Sequence, residues 1–384
     1  MLRVRFESEC ACARLAWHRS EDPDFRAYEV QELARDEWTT FEVAEAVDDT
    51  TLRASGLAAN RPYQYRVLTR TKGEVAASNA VRGRIHGFAN AWPTATPSVN
   101  FLPTRIVVDD EGIVSVVGAG AGTVLRFDRA GNPMNSLRFA DARLACLGMA
   151  GLDGPSLALD SKNHLYVIYN VLKMGTTPEA FLAKFDDRSA LVWNLPLKGV
   201  FARHIAIDAN DQIFIESLGQ IRQYDRDGKL VFQGLLPPSM VSSMRLWEHQ
   251  FAVLVQPLEE IARVELQLYK DAVRSPAEEV SRRELPVAAA ADFSMEHWNS
   301  RIFVVHSKAD RIEVFRDGQT HTGWGTRGGG EGEFRFTGTA TVIDDLESGR
   351  LFEREVLGGG IARDRAGSVF VADTFNNRIQ KFWP

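Results

Sequence analysis

The chain has 384 residues, of which 45% are hydrophobic and 25% are charged, and its formal net charge is −6. That composition is typical of a globular protein, and the length favours two domains or one large repeat architecture. The slight excess of acidic residues argues against general binding to nucleic acid or to anionic membranes, which requires a concentrated positive field.

Targeting segments are not visible in this sequence. No apolar run approaches the roughly 18 residues of a membrane-spanning helix. The first residues, MLRVRFESECACARLAWHRS, lack the apolar segment of a signal peptide. We therefore expect a cytoplasmic protein or a part of an assembly, unless a leader has been removed.

The three cysteines, Cys10, Cys12 and Cys146, are too few for a disulfide-built extracellular scaffold. Cys10 and Cys12 alternate along the strand-like stretch ECACARLAW, so they share one face. A redox or metal pair is the functional alternative, but no further cluster of Cys or His lies nearby in the sequence. We interpret both residues as small hydrophobic side chains in or near a core.

Residues 1–85 show almost no helical periodicity and contain seven short alternating runs, separated by polar turns such as RSEDPDF and TKGEV. Seven strands at this spacing predict a small sandwich of two packed sheets. Trp17 is expected to point inward from the second strand, and Tyr28 and Val30 are expected to do so from the third.

The run GLAANRPYQYRV adds specificity to this prediction, because Leu57 and Tyr63 have the spacing of a tyrosine corner. Together with Trp17 and the runs DPDFRAYEV and VAASNAV, it makes residues 1–85 resemble a fibronectin type III domain without a disulfide. The resemblance implies a spacer or adhesion module that carries no chemistry.

Residues 86–384 carry a repeat. Its unit is an apolar strand closed by Asp, a polar turn, a strand rich in Val, Ile and Phe, a second turn and a strand that ends in an aromatic residue. Copies occupy residues 105–131, 156–190, 204–229, 242–272, 289–319 and 359–384. With a short further strand between copies, each unit has four strands in about 40 to 50 residues, the size of a β-propeller blade.

The sequence GWGTRGGGEGEF, followed later by GGIARDRAGSVFVADTFNNRIQKF, resembles the NHL repeat with its Gly-rich lead and its NNRI ending. The resemblance covers about three quarters of the chain and implies a six-bladed β-propeller. The predicted fold class is therefore all-β, with a fibronectin type III-like sandwich in residues 1–85 and a six-bladed NHL-type propeller in residues 86–384.

Two recurring positions are expected to serve the fold. Aspartates end the inner strands, where each can cap the following turn: Asp109, Asp160, Asp208 and Asp364. Aromatic residues end the third strands and are expected to fill the wedge between neighbouring blades: Phe127, Phe185, Tyr224, Phe315 and Phe382.

The sixth copy, which ends in NNRIQKFWP, lacks an outer fourth strand. The stretch HGFANAWPTATPSVN (86–100) is long enough to supply it, and we predict that it lies against NRIQKF and closes the ring. Pro93 and Pro97 fit this role, because proline is tolerated on an edge strand and not inside a sheet.

Some propellers that resemble this one are enzymes. Lactonase-type relatives hold calcium with carboxylate and amide oxygens around the channel, yet no carboxylate stands at the predicted starts of the inner strands here. Amidating-lyase relatives hold zinc with histidines, but only His204 and His306 are expected at the channel mouth, and they lie on non-adjacent blades. We predict no catalytic residue, no metal and no cofactor.

Four residues at the predicted channel mouth are candidate binding residues: Arg105, Arg203, His204 and His306. Acidic residues are interleaved through every blade, so nucleic acid is not the expected partner. Residues 337–357 interrupt the last repeat with TATVIDD and RLFEREV around LESG, which predicts a projecting hairpin that binds a partner or caps the channel. The candidate residues of this insertion are Asp344, Asp345, Arg350 and Phe352.

The sequence therefore favours a non-catalytic binding or scaffolding protein, in which a sandwich spacer precedes a propeller that presents a surface to a protein or glycan partner. Two alternatives remain open at this point. One is a structural component of a larger assembly, such as a bacterial surface or phage-tail-like complex. The other is a propeller enzyme of the zinc lyase or calcium hydrolase type, whose site carries no recognisable motif.

Overall fold

The computed structural model describes residues 1–7, 12–34, 37–55, 57, 62–84, 88–94, 101–119, 121–140, 154–171, 179–235, 239–247, 250–257, 264–270, 278–295, 301–316, 319–345 and 350–383. In these ranges the chain is all-β, apart from two 3₁₀ turns at Ser307–Ala309 and Thr374–Asn376. None of the described segments forms a helix long and apolar enough to cross a membrane. The chain divides into an N-terminal unit, Met1–Phe88 with His321–Gly325 and the last residues from Trp383, and a ring unit, Ala89–Thr320 with Thr326–Phe382.

The described part of residues 1–84 in the N-terminal unit forms eight strands: β1 (Leu2–Glu7), β2 (Cys12–Trp17), β3 (Phe25–Ala34), β4 (Glu37–Ala44), β5 (Thr51–Ala54), β6 (Pro62–Thr71), β7 (Val75–Ala77) and β8 (Val81–Arg84). Strands β1, β2 and β5 pair in one sheet, and β4, β3, β6 and β7 pair in another, with β8 also on β6. Trp17, Tyr28 and Val30 are buried in one apolar cluster, as predicted from their alternation. Leu57 and Tyr63 are buried in the same cluster.

Cys12 corrects one expectation from the sequence. Its side chain is fully buried, and it is disulfide-bonded. The interpretation of this residue as a plain small hydrophobic side chain is therefore wrong, because its sulfur forms a covalent cross-link in addition to packing. Cys10 and Cys146 lie outside the described residues.

The ring unit begins with β9 (Phe88–Pro93) and continues through sheets that follow one another along the chain. Sheet one has β10 (Pro103–Val108), β11 (Val114–Gly118), β12 (Thr123–Phe127) and β13 (Leu137–Arg138). Sheet two has β14 (Ser156–Leu159), β15 (Leu165–Val171), β16 (Glu179–Phe185) and β17 (Leu191–Leu197). Sheet three has β18 (His204–Ile207), β19 (Ile213–Ser217), β20 (Gln220–Tyr224) and β21 (Leu230–Leu235).

The second half of the ring unit repeats this pattern. Sheet four has β22 (Ser239–Trp247), β23 (Gln250–Pro257), β24 (Val264–Lys270) and β25 (Glu278–Leu285). Sheet five has β26 (Ala290–Met295), β27 (Arg301–His306) and β28 (Arg311–Arg316). Strand β29 (Gln319–Trp324) follows; its residues Thr322 and Gly323 belong to the N-terminal unit, where they pair in parallel with β1. After the hairpin β30 (Thr337–Asp345) and β31 (Arg350–Leu357), sheet six has β32 (Gly360–Arg363), β33 (Val369–Asp373) and β34 (Arg378–Phe382).

The first strands of the six sheets contact one another in a closed cycle, in the order β10, β14, β18, β22, β26 and β32, with β32 back against β10. A sheet with two apolar faces cannot stand alone in water, so each sheet covers its faces with its two neighbours. The all-β, propeller-like fold class expected from the repeat is confirmed.

The ring is closed by a strand from its own beginning, as predicted. Strand β9 lies beside β34 as the fourth strand of sheet six, and the amide of Thr94 donates to the carbonyl of Asn377 at 2.8 Å. Trp92 on β9 is buried, and its ring centroid lies 5.7 Å from those of both Phe127 and Phe370. Pro93 ends β9, whereas Pro97 lies outside the described residues.

The recurring aspartates act as the sequence predicts. In every case a carboxylate oxygen accepts the backbone N–H of the residue four positions later, at 2.7 to 2.9 Å: Asp109, Asp160, Asp208 and Asp364. The aromatic residues that end the third strands are all buried: Phe127, Phe185, Tyr224, Phe315 and Phe382. Capping and wedge filling thus account for the two strongest signals of the repeat.

The NNRI-type ending of sheet six holds the Gly-rich lead that precedes the hairpin. Arg378 donates to the carbonyls of Gly329 and Gly330, and its Nε donates to Asp373 at 2.8 Å. Burial raises the pKa of Asp373, while hydrogen bonds, including the one from Arg378, act in the opposite direction. Arg378, which belongs to the NNRI ending, therefore holds the Gly-rich lead at Gly329 and Gly330 in place.

Candidate functional site

Three of the four predicted channel-mouth residues meet at the centre of the ring unit. Arg105, Arg203 and His204 lie at the beginnings of inner strands and are only 5%, 4% and 2% exposed. Arg105 Nη2 donates to the carbonyl of Ser242 at 3.0 Å, and Arg203 Nη2 donates to that of Val241 at 2.8 Å. The contact of His204 Nε2 with the carbonyl of Val241 is 3.1 Å long. Sheets one and three are thereby tied to one segment of β22.

A buried carboxylate lies in the same region and corrects the sequence analysis. Asp292 on β26 is fully buried, and Arg245 Nη2 lies 2.8 and 2.9 Å from its two oxygens. Asp292 also accepts the Ser243 hydroxyl and the backbone N–H of Ile361 in sheet six, the latter at 3.0 Å. The expectation that no carboxylate stands at the inner-strand starts is therefore wrong for sheet five.

Bulges in the inner strands explain why this carboxylate was missed. The register of β26 with β27 shifts between Ala290 and Phe293, so one additional residue is inserted between them. Strands β10 and β22 carry the same irregularity at Pro103/Arg105 and Val241/Ser243. A bulge re-aims side chains at its position, which simple alternation from the strand start does not predict.

Glu216 on β19 adds a second carboxylate to this region. It is fully buried, and its Oε1 accepts the backbone N–H of Gly219 at 2.8 Å. Its oxygens also lie 3.8 Å from Arg203 Nη1 and 3.9 Å from His204 Nε2. Glu216 thus connects the charged centre of the ring with the turn between β19 and β20.

The environment of His204 keeps its imidazole neutral. Burial lowers the pKa of His204 well below its ordinary value, and the charges of Arg203 and Arg105 lower it further. The hydrogen bond to the carbonyl of Val241 requires a proton on Nε2, so the Nε2–H tautomer is the one that fits. Arg245, Glu216 and Asp292 are further charged groups of this region.

We expect His204 to make the protein less stable in mild acid. Burial lowers the pKa of folded His204, so as the pH falls below about 6.5 the unfolded chain binds a proton at this residue more readily than the folded one, and the free energy of unfolding decreases. Replacing His204 with Gln should reduce the slope of the unfolding free energy against pH by up to about 1.4 kcal/mol per pH unit. Urea unfolding of the wild type and of His204→Gln between pH 5 and pH 8 measures the difference between the two slopes. The pKa of Asp373 is also shifted, but Asp373 is present in both proteins and cancels from this difference. Equal slopes would contradict the neutral assignment.

The fourth predicted residue, His306, occupies a different place. It ends β27 in sheet five, and its Nε2 accepts the backbone N–H of Ala288 at 3.3 Å. Burial and the nearby Arg311 lower the pKa of His306. In the part of the chain that the structure describes, no group of three or more His, Cys, Asp or Glu side chains is arranged to hold a metal ion.

The insertion forms a two-stranded antiparallel hairpin of β30 and β31. Ala340, Val342 and Val356 are buried in it, and Phe375 in the 3₁₀ turn between β33 and β34 packs against them. The guanidinium of Arg350 lies 4.5 Å from the centre of the Phe352 ring, which places the two candidates on one face of β31. The side chains of Asp344 and Asp345 lie outside the described part of the structure, and a role for the hairpin stays a prediction.

The face of the ring unit that carries the links between sheets also holds a cavity of about 690 Å³, which we call the 2–3 cleft. Its lining comes from the start of β16, the end of β17, the link to β18 and the turn between β19 and β20: Glu179, Ala180, Pro196, Leu197, Lys198, Gly199, Val200, Phe201, Ser217, Leu218 and Gln220. Sequence analysis missed this site, because no motif joins its four separate segments.

The walls of the 2–3 cleft are joined by hydrogen bonds within the protein. The hydroxyl of Ser217 accepts the backbone N–H of Phe201 at 3.1 Å. Arg222 donates to the carbonyls of Lys198 and Gly199, at 2.9 and 3.2 Å. Because these bonds hold the turn and the link, the cleft is preformed, which lowers the entropic cost of binding.

Comparisons with known proteins support the fold alone. No protein-family model and no curated protein matches the chain. An auxiliary nutrient binding protein from Bacteroides thetaiotaomicron is 10% identical, with 97% of this chain and 93% of that chain covered and a TM-score of 0.50. A streptogramin B lyase is 15% identical, with 76% and 97% covered and a TM-score of 0.47. Virginiamycin B lyase from Staphylococcus aureus is 12% identical, with 77% and 98% covered and a TM-score of 0.45.

Proposed function

We propose that this is a non-catalytic binding protein that presents the 2–3 cleft to a protein or glycan partner. In this proposal residues 86–384 form a six-bladed NHL-type propeller that carries the binding surface. Residues 1–85 form a fibronectin type III-like sandwich that serves as a spacer. The observation that carries the proposal is the preformed 2–3 cleft.

The size and lining of the cleft support binding. A volume of about 690 Å³ falls within the roughly 300 to 1,000 Å³ of known ligand sites. Apolar side chains supply most of its wall, and Glu179, Lys198 and Gln220 supply polar groups at its edge. By contrast, Arg105 and Arg203 donate to backbone carbonyls inside the ring unit, so the cleft offers the more accessible groups.

The proposal predicts that a charge placed in the cleft weakens partner binding. Leu218→Arg puts a guanidinium into the apolar wall and should weaken binding at least tenfold, because the charge must be desolvated there. Leu230→Arg is the matched control, since Leu230 is also an exposed leucine and lies outside the cleft on β21. Binding of the intact chain and both variants to glycan arrays and to peptide arrays measures the effect. Equal binding by the wild type and Leu218→Arg would refute the site.

A further inference from the structure

The turn that borders the 2–3 cleft has an unusual residue at its first central position. Ser217 pairs with Gln220, so Leu218 and Gly219 are the two central residues of a tight hairpin turn. Both have positive φ, 49° for Leu218 and 85° for Gly219, as a type I′ turn requires. Asn or Asp commonly takes the first of these positions because it tolerates the left-handed region, whereas a bulky γ-branched side chain does so rarely.

The leucine at this position does not serve the apolar core. Its side chain is among the exposed large hydrophobic residues, at 44% exposure, and it lines the cleft. An exposed leucine in a strained conformation lowers stability twice, through its backbone and through the apolar surface left in water. Strain that persists without a packing benefit is typical of a functional position.

The surrounding structure holds Leu218 in this conformation. The buried carboxylate of Glu216 accepts the backbone N–H of Gly219, and Ser217 is bonded to the opposite wall through Phe201. The side chain of Leu218 is therefore presented to the cleft from a fixed backbone. Glu216 is a positioning residue for this presentation, because it acts through the turn.

The chemistry of the lining selects among possible occupants. Of the eleven described lining residues six are apolar, and the aromatic one, Phe201, is itself buried, so these residues offer no exposed ring for stacking on a sugar. Among these described residues the charged ones are Glu179 and Lys198, one of each sign, and they match a chain with both hydrogen-bond donors and acceptors and no net charge. These features favour a peptide over a glycan.

We infer that the 2–3 cleft takes an extended segment of a protein partner that inserts an aliphatic side chain, and that Leu218 is the residue that contacts it. This inference rests on the proposed binding function and narrows it to one class of partner. Leu218 is retained at a strained position because its apolar surface is buried only when the partner segment is bound.

The substitution Leu218→Asn separates binding from stability. It creates the favoured Asn-Gly turn and removes the apolar contact, so we expect the melting temperature to rise by about 2 °C while peptide affinity falls about tenfold. A merely structural role for Leu218 would not produce opposite changes in these two quantities. Leu230→Asn, at an exposed leucine outside the cleft, is the matched control and should leave peptide affinity unchanged.

The probes are heptapeptides selected from a random phage-displayed library on the intact wild-type chain, then synthesised and titrated by calorimetry. We expect selected peptides to share a Leu, Ile or Val at one position and to lose affinity for Leu218→Asn. Peptides without an aliphatic residue, or with unchanged affinity for Leu218→Asn, would overturn the inference.

Two further outcomes separate the inference from the proposed function. If no peptide is selected and the wild type binds a glycan array in a manner that Leu218→Arg abolishes, the inference fails and the binding function stands. If the wild type binds neither peptides nor glycans, both fail.

Discussion

Removing residues 378–384 should leave a chain whose ring unit does not fold. The deletion eliminates β34, which lies between β33 and β9 in sheet six, so β9 loses its only neighbour in that sheet. It also exposes the apolar cluster in which Trp92 packs with Phe370 and Phe127. Near-UV circular dichroism and calorimetry of the intact and shortened chains measure the loss of the cooperative transition. Unchanged melting would contradict a closure through β9 and β34.

Two single substitutions distinguish this closure from a general effect of shortening the chain. Trp92→Ala should destabilise by about 3 to 5 kcal/mol, because a large buried aromatic side chain is lost and a cavity remains. Leu235→Ala is the control, since Leu235 is among the exposed large hydrophobic residues and ends β21 in another sheet. Its expected effect is within about 0.5 kcal/mol of the wild type.

Asp292→Ala should have the largest effect of any single substitution at the centre of the ring unit. The change leaves Arg245 without the carboxylate that its Nη2 contacts twice, and it leaves the backbone N–H of Ile361 without its acceptor. Breaking a buried ion pair by removing one partner costs about 3 to 5 kcal/mol. Urea unfolding followed by tryptophan fluorescence measures the loss.

A double-mutant cycle tests the assignment of this loss to the ion pair. Replacing Arg245 with Ala in the Asp292→Ala background removes the uncompensated charge, so the two losses should fail to add by at least about 1 kcal/mol. Asp292→Asn, which retains size and one acceptor, should cost less than Asp292→Ala. Additive losses, or a stability of Asp292→Ala within about 0.5 kcal/mol of the wild type, would contradict the proposed pairing.

The sequence predicts the elements of this fold that arise from local patterns. Alternation marks the strands, Asp160 and its counterparts mark the turns, and Phe185 and its counterparts mark the ends of third strands. The NNRI ending and the stretch that contains Trp92 even predict how the ring closes. The strand and turn signals come from residues within a few positions of one another, so simple periodicity is sufficient to find them, whereas the closure follows from the outer strand that the sixth copy lacks.

The candidate site is less accessible to this kind of prediction. Asp292 is displaced from the expected position by a bulge, which the hydrophobic pattern does not reveal. The 2–3 cleft joins segments that lie as far apart as Glu179 and Gln220, and it contains no motif. The dipeptide Leu218-Gly219 between two alternating runs was the one available signal, because a two-residue turn with Gly at its second position predicts a tight hairpin.

The closure of sheet six has a consequence for how the protein is made. Strand β9 leaves the ribosome before its neighbour β34, which is synthesised only after residues 94–377. At 5 to 20 residues per second this interval is roughly 15 to 60 s, during which Trp92 has no sheet to join. The nascent chain must therefore carry an unpaired apolar segment until residues 94–377 have been made, and the pairing of β9 with β34 joins residues almost 300 positions apart. Its yield in a cell should depend more on protection during translation than on the stability of the finished ring.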